Sequence, residues 1–239
     1  FLLFCPFAAA SAQNTVPEVY RAIYQAATPL GDKELFTVAV GIVETTATDR
    51  SPASTTLIAV PAGGEYRVND HLSFQGYVLF NNDMPHNFRG ADLPNQLEVR
   101  PVVGVTYKTE LSSAVELGAW LRYEARFRDV GGNDDFESRL RLRPYIEATF
   151  AEKEDTAWHV RFEAEPKFTI DDGVGFFNGA TARFSLGRSF SRALSADVRY
   201  SHDWTRPTPG SDWRSSNDMI TIQVVQAFGL KRFAARQAT

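Results

Sequence analysis

Apolar and polar residues alternate with a period of two along most of the chain from residue 34 onward. Because successive side chains of a β-strand point to opposite faces, each such run predicts a strand with one apolar and one polar face. The clearest runs cover residues 96–108, 114–128, 136–150, 158–170 and 194–204, and weaker ones cover 34–46, 54–67, 71–82, 176–189 and 218–230. These ten runs predict ten strands, several of them longer than the about 5–6 residues of an ordinary globular strand.

The segments between these runs differ in length on the two sides of the predicted sheet. Residues 81–95 and 205–217 make long connections, whereas 67–70 and 191–193 are short. Tilted strands of about 9–11 residues cross a bilayer, and membrane barrels carry longer loops on one side. The sequence therefore predicts an all-β fold, an antiparallel up-and-down transmembrane β-barrel of about ten strands, within a range of eight to twelve. A periplasmic N-terminus would place the long loops outside, and an even strand number would return the C-terminus to the periplasm.

The start of the chain has a different pattern from the barrel segment. An apolar run is followed by Ala10-Ser11-Ala12, which is typical of a signal peptide and its cleavage site, so residues 1–12 are predicted to be a truncated signal peptide. Residues 13–33 are predicted to be a periplasmic N-terminal extension, although residues 16–30 with one further strand could raise the number to twelve. The barrel is then predicted over 34–230, with a C-terminal tail at 231–239.

Aromatic residues indicate which face of the sheet meets lipid. They lie on the apolar face near the strand ends, as in the two aromatic belts of membrane proteins. The predicted belt at the long-loop end contains Phe127, Phe136, Phe176 and Trp204, and the belt at the short-turn end contains Tyr107, Phe150, Trp158, Phe190 and Phe228. The apolar face is therefore expected to contact the lipid bilayer and lipopolysaccharide of a bacterial outer membrane, which leaves the charged face inside.

The charged face is rich in arginine. Only five of the 25 basic residues are lysines, and planar guanidinium groups suit a crowded lumen of carboxylates. The predicted lumen-lining residues are Arg100, Glu116, Arg122, Glu124, Arg126, Glu137, Arg139, Arg141, Arg143, Glu147, Arg161, Glu163, Glu165, Lys167, Arg183, Asp197 and Arg199. Two interpretations stay open: a structural ladder of ion pairs, or a charged constriction that selects solutes.

Composition excludes several classes of protein. The net charge of −4 does not suit a basic nucleic-acid-binding domain, and 44% hydrophobic residues exclude a disordered chain. Cys5 is the one cysteine, so the chain without residues 1–12 contains no cysteine and can form no disulfide. A length of 239 residues suits one domain or one barrel.

The sequence resembles small, porin-like bacterial outer-membrane β-barrel proteins. The resemblance rests on Ala10-Ser11-Ala12, on the hairpin rhythm over 34–230 and on strands such as the one over 137–143. It implies assembly by the barrel-assembly machinery and a narrow channel for small charged or polar solutes, with no nucleic-acid partner. The terminal aromatic residue of such barrels would be Phe228 or Phe233, which a further tail follows.

Some outer-membrane barrels are hydrolases, and two histidines of this chain are candidates for such chemistry. His202 lies beside Asp203 near one rim and could belong to a rim hydrolase, whereas His159 lies among the charged lumen residues. The sequence contains no phosphate-binding loop, dinucleotide fingerprint or zinc-ligand spacing. We therefore expect no enzyme, no cofactor and no metal. The alternatives to a channel are a non-conducting structural or surface-binding barrel, the rim hydrolase, and a secreted soluble barrel with its apolar face inside.

Overall fold

The computed structural model describes residues 18–45, 54–86, 96–130, 132–153, 156–171, 174–206, 208 and 210–228, and confirms the predicted all-β barrel. Within these ranges there is no helix that is long and apolar enough to cross a membrane. The strands are β1 (Glu18–Pro29), β2 (Glu34–Thr45), β3 (Ser54–Arg67), β4 (Leu72–His86), β5 (Gln96–Ser112), β6 (Val115–Val130), β7 (Asn133–Lys153), β8 (Thr156–Asp171), β9 (Val174–Ser191), β10 (Leu194–Thr205) and β11 (Arg214–Ala227).

The eleven strands form one closed sheet in which each strand pairs with its neighbours in the sequence. Ten of the pairings are antiparallel, and the barrel closes where β1 pairs with β11 in parallel, from Glu18 opposite Asp218 to Ala27 opposite Ala227. Closure leaves no strand edge unpaired among the described residues, so the backbone polar groups of the wall bond within the sheet.

The first strand corrects the prediction for residues 13–33. Glu18–Pro29 lies in the barrel wall and is not a periplasmic extension. The weak apolar pattern of this segment hid a strand because alanines and threonine occupy both of its faces. The strand count is therefore odd, and the first and last strands run in the same direction. The expectation of an even number was wrong, and Glu18 and Ala227 lie at opposite rims.

The two rims are named after their connections. The long-loop rim carries the connections 46–53, 87–95, 131–132, 172–173 and 206–213, and the short-turn rim carries 30–33, 68–71, 113–114, 154–155 and 192–193. Three of the five connections at the long-loop rim are longer than any at the other rim, while β6–β7 and β8–β9 are joined by two residues each. Segments 46–53 and 87–95 and the tail 231–239 lie outside the described residues, as do the signal peptide predicted at 1–12 and Phe233.

The barrel carries its apolar residues on the outside. Val103 and Ile42 are 60% and 54% exposed, whereas the carboxylate residues Glu124 and Glu165 are each 1% exposed and lie inside. In a soluble barrel the apolar face would fill the interior, so the distribution here is inverted. An apolar exterior around a charged interior is the arrangement expected of a barrel with a lipid-facing surface.

Candidate functional site

The predicted charged residues lie on the lumen face of six consecutive strands, β5 to β10. We call this surface the charged wall. Cross-strand neighbours there carry opposite charge at several positions, for example Arg126 opposite Glu137 and Glu163 opposite Arg183. On this wall the structure places Arg100, Glu116, Arg122, Glu124, Arg126, Glu137, Arg139, Arg141, Arg143, Glu147, Arg161, Glu163, Glu165, Lys167, Arg183, Asp197 and Arg199.

Glu165 is the centre of the charged wall. Its carboxylate lies 2.6 Å from Arg143, 3.1 Å from Arg183, 3.2 Å from Arg141 and 3.6 Å from Arg122. These five residues are called the arginine hub. One carboxylate is shared by four guanidinium groups, and the side chain of Glu165 has no exposed surface. The hub is therefore held together by a fully buried anion and keeps an excess of positive charge.

Two further buried carboxylates flank the hub without neutralising the wall. Glu124 lies 2.7 Å from Arg122 and 3.3 Å from Arg141. Glu163 lies 3.7 Å from Arg183 and 4.0 Å from the Nε of Arg143. Each glutamate thus contacts arginines that the hub already uses. The described residues form a shared network here and not a set of separate ion pairs.

Smaller networks continue the charged wall toward both rims. Toward the long-loop rim Glu137 accepts hydrogen bonds from Arg126 at 2.9 Å and from Arg139 at 2.6 Å, and Lys167 lies 3.3 Å from Asp203. Toward the short-turn rim the pairs join Lys108 with Glu116 at 2.9 Å, Arg161 with Glu147 at 2.6 Å and His159 with Asp197 at 2.6 Å. The charged wall is therefore polar along its whole described length.

Strands β1 to β3 form a different wall across the lumen, which we call the small wall. Toward the short-turn rim, β3 contributes Glu65 and Arg67 to the lumen. Toward the long-loop rim, the residues of these strands that line the lumen are short or apolar: Ile23, Gly41, Val43, Leu57, Ala59 and Pro61. Arg21 is the exception, because it projects from β1 into the same space. Within the described part of the chain it makes no ion pair, and its Nε has no hydrogen-bond partner. Arg21 was not predicted to line the lumen, because β1 has small residues on both faces and gives no clear alternation.

Among the described residues, two cavities that share Arg143 lie one after the other along the lumen. A cavity of about 420 Å³ lies between the small wall and the arginine hub, toward the long-loop rim, and one of about 360 Å³ opens toward the short-turn rim. Eight basic residues line the larger cavity, against the two acidic residues Glu124 and Asp203. Its basic residues are Arg21, Arg100, Arg122, Arg141, Arg143, Lys167, Arg183 and Arg199.

A constriction separates the two cavities. Arg143 lines both of them, and its guanidinium lies 4.7 Å from the centre of the Trp120 ring. Arg122 stacks on the same indole at 4.4 Å. Gly104 makes this arrangement possible, because a Cβ atom there would lie 2.6 Å from the indole Nε1. The boundary between the two cavities, which we call the constriction, thus contains two stacked cations and one aromatic ring.

Most of the predicted aromatic residues lie on the outer surface near a rim. Phe127 and Phe136 pair across β6 and β7 with ring centres 5.1 Å apart, and Trp204 lies at the same rim on β10. The residues at the short-turn rim are Tyr107, Phe150, Trp158, Phe190 and Phe228, and all of them except Trp158 are about half exposed. This arrangement matches two belts that flank an aliphatic band.

The prediction for Phe176 was wrong. The register of β8 and β9 shifts between Lys167 and Phe168, so that Asn178 is an extra residue in β9. Phe176 consequently pairs with Thr169, whose hydroxyl donates to Glu137 in the lumen. Phe177 takes the outward position and packs on Phe168 and Trp213, with ring centres 5.3 Å and 4.9 Å away. The bulge exchanges the lumen-facing and outward-facing positions of β9 at this end of the strand. The alternation of apolar and polar residues in the sequence does not reveal it.

His202 and Asp203, which the rim-hydrolase alternative would use together, lie on opposite faces of β10. Asp203 points into the lumen toward Lys167, whereas His202 points outward and contacts Asp218 on β11 at 2.7 Å. Neighbours in a strand lie on opposite faces, so adjacency in the sequence separates these two side chains. Within the described ranges, no group of three or more His, Cys, Asp or Glu side chains is arranged to hold a metal ion.

Comparisons with known proteins give a structural neighbour and a family. A solved structure described as a NanC porin is 13% identical to this chain, covers 88% of it and 98% of its own chain, and superposes with a TM-score of 0.44. No curated protein matches the sequence significantly. The family model described as "Protein of unknown function (DUF2490)" matches residues 44–231, which is most of the barrel. The chain therefore belongs to the DUF2490 family.

Proposed function

We propose that the protein is a narrow porin-like channel of the bacterial outer membrane that conducts small polar solutes and prefers anions. The single observation that carries the proposal is the larger cavity, where eight basic residues face two acidic ones. Rings of arginine and lysine are the feature by which pores select anions.

The membrane location is supported by the outer surface. Aliphatic side chains such as Val40 and Val198 are about half exposed in the middle of their strands, and aromatic residues lie near both rims. Burial of such a surface in lipid is favourable, whereas its exposure to water is not. Lipids of the bilayer, including lipopolysaccharide, are the partners proposed for this surface, and the barrel-assembly machinery is the proposed route of insertion.

The two cavities and the constriction support a narrow pore. A guanidinium that stacks on Trp120 can shift away from the indole, because the contact is not a covalent or backbone constraint. The opposite wall offers short side chains at Gly41 and Ala59, so a solute would pass between the small wall and the arginine side chains of the charged wall. The diameter set by eleven strands lies between filled eight-stranded barrels and wide sixteen-stranded porins.

Two measurements test the proposal in sequence. Heat-modifiable mobility of the detergent-extracted protein tests the membrane barrel, since a closed barrel migrates differently before and after boiling. Single-channel recording in planar bilayers then tests conduction, and discrete current steps are expected. A heat-modifiable protein that never conducts would contradict the channel and favour a structural barrel. A protein that stays in buffer without detergent would contradict the membrane location.

A further inference from the structure

Three polar side chains lie close together on the outer surface at the long-loop rim, where the lumen charges play no part. His202 on β10 directs its Nδ1 to the carboxylate of Asp218, 2.7 Å away, and its Nε2 to the Oγ of Ser215, 3.2 Å away. A carboxylate on one imidazole nitrogen and a serine hydroxyl on the other is the geometry of a nucleophile, a base and an orienting acid.

The local fold explains how these residues meet. His202 lies directly opposite Asp218 in the pairing of β10 with β11. The register then shifts after Asp203, so that Trp204 pairs with Ser215 and Ser216 becomes the extra residue. Without that bulge, Ser216 would take the outward position beside Trp204. Bulges next to functional sites commonly redirect a side chain in this way.

The neighbouring groups hold the cluster in place. The Tyr200 hydroxyl donates a hydrogen bond of 2.5 Å to the same Asp218 oxygen that faces His202. The Trp204 ring packs edge-on against the imidazole, with centres 4.3 Å apart. Ser215 itself is exposed, so a substrate can reach its hydroxyl. An oriented base beside an accessible serine is the feature that distinguishes this cluster from the rim aromatics around it.

We propose that Ser215, His202 and Asp218 form a serine-hydrolase site that cleaves carboxylic esters of membrane lipids. The substrate class follows from the surroundings, because the cluster lies on an apolar surface near an aromatic rim. At the same rim, the guanidinium of Arg206 stacks on Trp213, 5.3 Å from the ring centre. This guanidinium supplies a cation for a lipid phosphate. The lipid specificity rests on the proposed membrane location, whereas the triad itself does not depend on conduction.

The reaction needs only the ester and water. Ser215 Oγ attacks the ester carbonyl carbon while its proton passes to His202 Nε2, and the tetrahedral intermediate collapses as the bond to the alcohol oxygen breaks. That oxygen takes the proton from His202, which leaves an acyl-serine. A water molecule then attacks the acyl carbon and gives a proton to Nε2. Release of the carboxylic acid returns the proton to Ser215, and Asp218 orients the imidazole throughout.

The test uses the whole protein in detergent with a fluorophosphonate probe, a soluble p-nitrophenyl ester and a fluorescent phospholipid. The matched variants are Ser215→Ala and Ser216→Ala, two adjacent serines of which the second bonds only to the Asp203 carbonyl in the lumen wall. We expect wild type and Ser216→Ala to be labelled and to hydrolyse both esters. Ser215→Ala should lose labelling and at least about a hundredfold in rate, and His202→Ala should lose as much.

The possible results distinguish the triad from its lipid substrate and from the channel. Unchanged heat-modifiable mobility of Ser215→Ala shows that its barrel is intact, so its loss of labelling supports the site. No labelling of wild type, or equal labelling and turnover in Ser215→Ala, overturns the proposal. Cleavage of the soluble ester but not of the phospholipid overturns the lipid substrate and leaves the triad. Conductance is recorded separately for every variant, so failure of the hydrolase is distinguished from failure of the channel.

Discussion

The charged wall and the small wall face each other across one lumen but differ in the length and charge of their side chains. On the charged wall, long side chains from β5 to β9 form a network of ion pairs centred on Glu165. On the small wall, residues such as Gly41 and Ala59 leave space and make no polar contact. In the proposed channel, the short side chains of the small wall set the width of the pore, and the charges of the other wall set its selectivity.

The arginine hub is where the largest effect is expected. Glu165→Gln removes one buried negative charge from four guanidinium groups, and breaking such a buried network costs about 3–5 kcal/mol. The temperature at which the heat-modifiable gel shift occurs should therefore fall clearly. Glu147→Gln is the matched control, because Glu147 is partly exposed and pairs with Arg161 alone among the ion pairs of the described residues. Equal loss in both variants would show that the hub has no special role in stability.

The space beside the small wall is tested by filling it. A Cβ atom at Gly41 would lie 3.5 Å from the nearest side-chain atom, so a larger residue can enter the cavity without a clash at its first atom. Gly41→Trp should reduce single-channel conductance by about tenfold, because the ring occupies the path of the solute. The control is Ile42→Trp on the adjacent lipid-facing position, where conductance should stay as in wild type. Unchanged conductance in Gly41→Trp would place the path elsewhere.

Removal of one constriction cation should alter selectivity more gently. Arg143→Ala opens the boundary between the two cavities and removes one charge from the hub, so conductance should rise while the anion-to-cation permeability ratio falls by about threefold. Reversal potentials across a salt gradient measure that ratio. Lys108→Ala is the control at the exposed short-turn rim, where water screens the charge. A larger change in the control than in Arg143→Ala would contradict the assigned constriction.

The indole at the constriction is expected to have the smallest effect. Trp120→Phe keeps an aromatic face for Arg122 and Arg143 but shrinks the ring, so conductance should rise by less than about twofold. Current noise in the open state should increase, because the two guanidinium groups stack less firmly. Wild-type noise in this variant would mean that the ion pairs with Glu165 alone hold the arginines in place.

The sequence predicts the strands and their faces well where alternation is strong. Runs such as 114–128 and 136–150 contain long, opposite sets of side chains, so the lumen positions of Arg122 and Arg141 follow from the period alone. The segment 18–29 has small residues on both faces and gives no such signal, which is why β1 and Arg21 were missed. Its absence from the prediction also gave an even strand number.

Contacts between strands are harder to predict than faces. The bulges at Asn178 and Ser216 shift register by one residue, and that shift moves Phe176 to the lumen side and brings Ser215 beside His202. A bulge is a local backbone choice that leaves no periodic mark on the sequence. The convergence of four arginines on Glu165 likewise depends on cross-strand register over β6 to β9, which alternation within one strand does not specify.

In the proposed channel, the excess of basic residues in the larger cavity makes the lumen select anions. The most direct measurement is the reversal potential of the wild-type channel in a planar bilayer that separates two concentrations of potassium chloride. If the lumen selects anions as proposed, the reversal potential should be close to the equilibrium potential of chloride. A reversal potential close to that of potassium would contradict it, because the cavity charges would then not govern which ion passes.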